Sequence, residues 1–327
     1  MKIAFIIDPM DQLKIAKDSS IALMKEASRR GHQIFSILQN ELAYEAGTVF
    51  ALSRELKFYW EESNWYRIEN EYKSPLAEFD VVLMRKDPPF DMEYLYCTYL
   101  LELAETQGAR VLNRPGALRN FNEKLAIVRF PEFIPQTIVT SQESQLRHFL
   151  EEHSDVILKP LDGMGGKSVF RLRSGDPNIG AVIETITDDG RRTIMAQRYI
   201  PEVLEGDKRI FIVDGKPVPY ALARIPKPGE SRANLAVGGK GVAQLLSNRD
   251  LEIASAVGES LIEEGLFLIG IDVIGDYLTE INITSPTCMV EIEQQTCFSI
   301  ASSVLNAIEN PEPVPLVHIA QKCAIRH

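Results

Sequence analysis

Short apolar runs alternate with helix-patterned stretches through residues 1 to 113, which restricts this end of the chain to a parallel sheet with helices on its faces. Ile3 to Ile7 reads as a strand that Asp8-Pro9 ends. Asp18 or Ser19 caps a helix carrying Ile21, Met24 and Ala27, and Gly31 stops it. Gln33 to Leu38 and Phe79 to Arg85 are further strands. Asp91 caps a helix through Gln107, Gly108 ends it, and Ala109 to Asn113 returns as a strand. Residues 41 to 74 are polar and aromatic without a helical period and read as a short antiparallel excursion.

Pro115 to Asn122 marks a boundary. Beyond it, Ser141 caps a helix to about His153, and strands at Val156 to Leu158 and Val169 to Leu172 flank a turn at Gly163 to Gly166. A helix near 178–187 and a strand near 194–198 complete a small α+β unit. After Pro201 strands dominate. Arg209 to Val213 and Lys216 to Ile225 flank Asp214-Gly215, a strong two-residue hairpin signal. Residues 226–241, rich in Pro and Gly, read as a long mobile loop. A helix near 249–264, a hairpin around Gly275 and a helix over 290–308 follow, and the tail after Pro311 is expected to be poorly ordered. The fold class is therefore α/β and α+β multidomain, divided as 1–121, 122–200, 201–310 and a tail, 311–327.

A chain of 327 residues exceeds one ordinary domain. The net charge of −11 argues against nonspecific nucleic-acid binding. Cys97, Cys288, Cys297 and Cys323 form no C-x-x-C pair and no zinc spacing, and read as reduced thiols. The N-terminal apolar run is too short for a signal peptide and no run is long enough to span a bilayer, so a cytoplasmic location is expected.

Two segments carry chemistry. Leu161 to Ser168 looks like a P-loop, but Leu161 stands where the first P-loop glycine is required, and a strand follows where a helix should begin. Instead, Gly163, Gly165 and Gly166 free the backbone to approach a phosphate, and Lys159 ends the strand before them. Taken alone, that segment reads as an ordinary hairpin turn with an exposed lysine. In the second segment, Asp272, Glu280 and Asn282 interrupt two apolar strands. Glu280 and Asn282 share a face, and a three-residue connection at Gly275 to Tyr277 sets Asp272 opposite Glu280 on that face. Hard oxygen donors on a rigid hairpin suit Mg²⁺, and a buried carboxylate requires a metal or a cation. A two-residue turn at Asp214-Gly215 pairs Arg209 with Tyr220 and puts Arg209 and Arg224 on one face, where they can gather an anion. Arg232, in the Gly-rich loop, is placed to close over such a site.

Together these motifs resemble the ATP-grasp superfamily. Lys17 to Ser20, Met84 to Asp91, Leu158 to Gly166, Val213 to Tyr220 and Thr279 to Thr287 resemble the prokaryotic glutathione synthetase family in particular, over about residues 1–308. The resemblance implies an N-terminal substrate-binding domain, a central ATP-grasp lid and a C-terminal ATP-grasp domain with the metal site. It implies that ATP and Mg²⁺ (or Mn²⁺) are used to join γ-glutamylcysteine to glycine through an acyl phosphate. By position, Lys124 and Lys159 would hold ATP phosphates, Gln197, Arg198, Tyr199 and Ile200 would line the adenine pocket, and Asp207 would meet the ribose. Asp272, Glu280 and Asn282 would bind the metal, and Arg209 would stabilise the transition state. Arg85, Arg224, Ser285 and Thr287 would contact the peptide. Lys17, Asp18, Ser19 and Ser20 would do so from a helix start whose N–H groups suit a carboxylate. A homo-oligomer, often a tetramer, is implied as well. Val290 stands where a basic residue is expected, and Lys167 is an added charge after the glycines. The alternatives are a ligase for another amino acid or peptide, or a catalytically inactive ATP-binding regulator.

Overall fold

The computed structural model describes residues 1–60, 64–227, 235 and 238–311. Its N-terminal sheet holds β1 (Lys2–Ile6), β2 (Gln33–Ile37), β3 (Leu42–Glu45), β4 (Thr48–Phe58), β5 (Tyr66–Pro75), β6 (Val81–Met84) and β7 (Val111–Leu112). The order is β3-β4-β2-β1-β6-β7, with β5 on β4. Strands β2, β1, β6 and β7 are parallel, as the apolar runs predict, because both faces are covered. Helix α1 (Ser19–Arg29) begins at Asp18, whose carboxylate accepts the Ser20 and Ile21 N–H groups at 2.8 and 3.1 Å. Helix α2 (Met92–Thr106) begins at Asp91 in the same way. The chain steps from β1 to β2 on one side and later to β6 on the other, so a crevice opens beyond the C-terminal ends of β1 and β6.

The antiparallel excursion fills the stretch expected for it, with long strands. Strands β4 and β5 form a ribbon of 11 and 10 residues. Most of β5 is exposed, which removes the apolar alternation that would have marked it. The boundary at Pro115 is itself a helix, α3 (Pro115–Asn120), with proline in its first turn, where a missing N–H costs nothing.

The middle unit is the antiparallel sheet β10-β9-β11-β8, built from β8 (Thr137–Thr140), β9 (Asp155–Pro160), β10 (Phe170–Arg173) and β11 (Ile194–Arg198). Helices α4 (Glu143–His153) and α5 (Ile179–Thr187) cover it around a separate core of Leu146, Phe149, Leu158, Ile183 and Ile194. Ser141 does not cap α4; the helix starts at Glu143, and Thr140 Oγ1 accepts the Gln142 N–H instead.

The last sheet has order β14-β13-β12-β15-β16, with β12 (Asp207–Val213), β13 (Lys216–Ile225), β14 (Lys240–Leu245), β15 (Leu268–Ile274) and β16 (Tyr277–Asn282). Helix α6 (Asn248–Glu263) packs on it, closed by a Ser247–Asp250 capping box. Strand β14 begins at the end of the segment read as a loop; most of the remainder of 226–241, Arg232 included, lies outside the described residues.

Two registers differ from expectation and leave the faces unchanged. Ile274 pairs with Tyr277 across a two-residue turn, and a bulge then restores Asp272 opposite Glu280. Without that bulge, a two-residue turn would separate them. Arg209 pairs with Leu222 rather than Tyr220, because β12 and β13 shift register between Ile210 and Ile212. The last helix is two, α7 (Met289–Thr296) and α8 (Ile300–Glu309), broken at Cys297 in left-handed backbone and restarted by a Ser299 cap. No glycine or proline marks the break.

Candidate active site

Lys159 is the penultimate residue of β9, and pairing on both sides of that strand carries its side chain into the molecule. Its ammonium is buried and donates to the Thr279 carbonyl at 2.9 Å. Burial lowers Lys159 to about 8; Glu280 opposes this and Lys124 reinforces it. The glycine turn follows. Gly165 and Gly166 take positive φ, and a Cβ on Gly163 would lie 2.8 Å from Pro160 Cγ. Lys124 Nζ bonds the Gly163 carbonyl and pairs with Glu280 Oε1 at 3.0 Å.

A cavity of about 130 Å³ lies over this turn. Lys124, Lys159, Gly163, Gly165 and Gly166 form one wall, with Lys167 beside them. Gln197, Arg198, Tyr199 and Ile200 form another, with apolar closure from Ile157, Val203 and Ile274. The Arg171 guanidinium stacks 3.4 Å from the Tyr199 ring centroid and fixes that wall. Asp207 also reaches this cavity. Its Oδ2 pairs with Arg224 at 2.6 Å, while Oδ1 is buried without a partner. Burial raises Asp207, with Arg224 opposing and Asp272 adding to the rise. A buried carboxylate oxygen without a donor is uncommon and leaves Asp207 as an unfilled acceptor at the edge of this cavity.

Next to it is an arginine–carboxylate cluster. Strand pairing sets Arg209 beside Asp272 and Asp207 beside Arg224. Asp272 accepts hydrogen bonds from Arg209 Nε at 2.5 Å and Arg209 Nη2 at 3.0 Å, and forms an ion pair with Arg224 Nη2 at 2.9 Å. Burial works against the Asp272 charge, and the two guanidiniums outweigh it, holding the group well below the usual carboxylate range. Gly270 leaves space for Arg209: a Cβ there would come within 2.9 Å of Arg209 Cδ and 2.8 Å of Pro286 Cβ.

The donors tested for a metal separate here. Asp272, Glu280 and Asn282 share a face. The Asp272 oxygens are engaged by two arginines, and Asn282 Nδ2 reaches Oδ2 at 3.4 Å. Glu280 and Asn282 line the open cavity with hard oxygens two residues apart. Among the described residues no three His, Cys, Asp or Glu side chains form a metal-binding group. One carboxylate with an amide oxygen fits an ion that takes its remaining ligands from phosphate and water.

A second cavity, about 540 Å³, fills the crevice beyond β1 and β6. Arg209, Arg224, Glu280 and Asn282 lie on one wall, Ser285 and Thr287 beside them, and Lys17 and Asp18 on another. Glu280 and Gly165 border both cavities, so the site with Lys159 and the site with the arginines adjoin. Of the residues implied by resemblance to meet the peptide, Ser19, Ser20 and Arg85 do not border this cavity, and Asp18, which does, is already engaged. Asp18 already accepts two α1 N–H groups, which withdraws them from any incoming carboxylate. Ser19 and Ser20 are buried and do not border the cavity. Ser19 Oγ accepts the Met289 N–H, and Ser20 Oγ accepts from Arg85 Nε at 3.1 Å. Arg85 also donates to the Pro286 carbonyl, so it ties α1 to the segment after β16 from beneath the cavity floor.

The sequence reading passed over Asp8, Lys86, Asp87, Glu123 and Glu291, which all line the larger cavity. Lys86 pairs with Asp8 at 2.9 Å, and Asp8 accepts the Asp87 N–H. Burial raises Asp87, against a Ser285 hydrogen bond and Arg85. Glu123 accepts from Ile283 N, Thr284 N and Thr284 Oγ1 and so fixes the chain after Asn282. A signal existed for the first three: they follow neighbouring parallel strands at the point where the strand order reverses. Val290 faces a separate surface cleft with Trp60, so its lack of charge removes nothing from this cavity.

Comparison with known proteins identifies the family. Residues 1–119 match the prokaryotic glutathione synthetase N-terminal domain, and residues 123–297 match the ATP-grasp domain of the same family. The chain is 56% identical to the glutathione synthetase of Nitrosomonas europaea over 94% of its own length and 98% of that protein. It is 52% identical to that of Pseudomonas aeruginosa, over 94% and 97%. Its fold is that of the ATP-grasp ligase PsnB (TM-score 0.62, 17% identity, 94% and 97% covered) and of the D-cycloserine synthetase DcsG (TM-score 0.65, 14% identity, 94% and 99% covered). With family models matching nearly from end to end and relatives above half identity, the chain belongs to the prokaryotic glutathione synthetase family.

Proposed function

We infer that the protein is an ATP-dependent ligase that joins γ-glutamylcysteine to glycine, releasing ADP and phosphate. The observation that carries this reading is the shared Glu280 border: a lysine-lined cavity with a glycine turn adjoins an arginine-lined cavity large enough for a peptide. A carboxylate cannot acylate an amine directly, because its leaving group would be an oxide. Transfer of the ATP γ-phosphoryl group to the cysteinyl carboxylate gives an acyl phosphate, the glycine amine attacks its carbonyl carbon, and inorganic phosphate leaves. The chain supplies position and charge rather than a nucleophile.

Lys124, Lys159 and the Gly163–Gly166 backbone would hold the triphosphate, Gln197 to Ile200 the base, and Asp207 Oδ1 the ribose. Glu280 and Asn282 would hold Mg²⁺ or Mn²⁺, which when bound neutralises phosphate charge. Asp272 keeps Arg209 and Arg224 charged and fixed against the reacting carboxylate. Cys288 is buried and its thiol is pushed up, a packed residue rather than a nucleophile. A homo-oligomer, a tetramer by family resemblance, is supported by an exposed apolar stripe on α2, where Met92, Tyr96 and Tyr99 are 54, 51 and 52% accessible. No helix among the described residues is long and apolar enough to cross a membrane, and we place the protein in the cytoplasm.

Phosphate release from ATP tests the reading. It should require γ-glutamylcysteine and rise with glycine. Release independent of the dipeptide, or none, would defeat it and favour another ligase substrate or an inactive nucleotide binder. Glu280→Gln should abolish turnover while the fold is retained; undiminished turnover would refute the metal assignment.

A further inference from the structure

Glu291 lines the larger cavity from the first turn of α7. Its Oε2 is enclosed and has no hydrogen-bond partner. Burial pushes the carboxyl group up, against its own backbone N–H and the nearby Lys17. A buried acceptor left without a donor is uncommon and calls for an explanation. The other acids of the cavity are engaged. Asp18 caps α1, Asp8 pairs with Lys86, Glu123 accepts three hydrogen bonds and Glu280 pairs with Lys124. Asp87 is hydrogen-bonded to Ser285.

Position defines what Glu291 can meet. Arg209 Nη1 donates to the Thr287 carbonyl at 3.4 Å, so α7 starts beside the arginine cluster. Glu291 follows in the first turn of α7. Lys17 stands on the adjoining wall, because the Met289 N–H bonded to Ser19 Oγ joins the starts of α7 and α1. A peptide whose reacting carboxylate lies against Arg209 and Arg224 extends its other end toward Lys17 and Glu291. In γ-glutamylcysteine that end is a free α-amino acid, with a carboxylate and an ammonium on one carbon. A cation beside an unpartnered anion complements it.

We propose that Glu291 receives the α-ammonium of the γ-glutamyl group, with Lys17 facing its α-carboxylate, and that Glu291 thereby selects peptides bearing a free γ-glutamyl amine. This rests on the γ-glutamylcysteine reading. The three N–H bonds of the ammonium supply the donor that Oε2 lacks.

The test compares γ-glutamylcysteine with glutarylcysteine, the same molecule without the amine, in full-length protein with ATP and glycine. The wild type should prefer the former by roughly 10–100-fold in kcat/KM, the range for a hydrogen bond to a charged group. Glu291→Gln keeps the shape and should reduce that preference to about threefold or less, with the KM for ATP unchanged as the control for folding. Glu291→Asp keeps the charge and should retain most of the preference. Full preference in Glu291→Gln, or none in a wild type that still ligates γ-glutamylcysteine, overturns the ammonium site and leaves the ligase reading standing. A wild type that ligates neither peptide overturns both.

Discussion

Asp272 has two opposed consequences at the scale of single residues. It holds Arg209 and Arg224 against the cavity, and it neutralises charge that burial would otherwise make costly. Asp272→Asn leaves Arg209 buried without its counter-charge and should cost about 3–5 kcal/mol, read from denaturant midpoints. Lys159 behaves in the opposite sense. Its folded-state pKa of about 8 lies below the ordinary 10.5, so between those values the folded protein binds fewer protons than the unfolded chain. Its share of stability therefore grows as pH rises through that window, while the grip on phosphate proposed for it would weaken as the ammonium is lost. The KM for ATP should climb above about pH 8. Lys159→Met should be more stable than the wild type below pH 8 and lose that advantage toward pH 10.5. A pH-independent stability difference would contradict the burial. Residue types and strand faces made Lys159, Arg209 and Glu280 legible in the sequence. The Arg209–Asp272–Arg224 triangle was not, because β12 and β15 pair across the 54 residues of intervening chain, 214–267, that the pattern does not fold by itself.

Among the elements, turns and bulges decided which side chains meet. The hairpin at Gly275 has the two-residue turn that would have separated Asp272 from Glu280, and the extra residue near Thr279 reverses that outcome. A bulge has no reliable sequence mark, so the correct face came from an incorrect loop length. Caps were more legible: Asp18 and Asp91 start their helices as read, whereas α4 begins after Gln142 with no side-chain cap, and Ser141 does not fill that role. The junction between the first and last sheets depends on Asn113, at the end of β7. Its side chain donates to Leu268 and Ile283 carbonyls at 2.9 and 2.7 Å and accepts the Leu268 N–H at 2.8 Å. Asn113→Ala would strand three buried backbone groups and should destabilise the protein by about 2–4 kcal/mol in urea unfolding. A loss under about 0.5 kcal/mol would show that water replaces the amide.

At the scale of the whole molecule, the middle unit carries its own core, while the first and last sheets share theirs. The smaller, lysine-lined cavity lies where the middle sheet meets the last one, and the larger, arginine-lined cavity where the first sheet meets the last. Periodicity predicts each sheet but not the surfaces between them, which is why Glu123 and Glu291 went unread. The exposed α2 stripe predicts assembly: sedimentation should give a species larger than one chain, and Tyr96→Glu should shift it toward the monomer. The account as a whole requires one carboxylate oxygen of the dipeptide to leave with the phosphate. γ-Glutamylcysteine labelled with ¹⁸O in the cysteinyl carboxylate, incubated with ATP, glycine and the protein, should yield inorganic phosphate carrying one ¹⁸O per turnover. Unlabelled phosphate, with peptide bond formation intact, would contradict an acyl phosphate in the shared cleft.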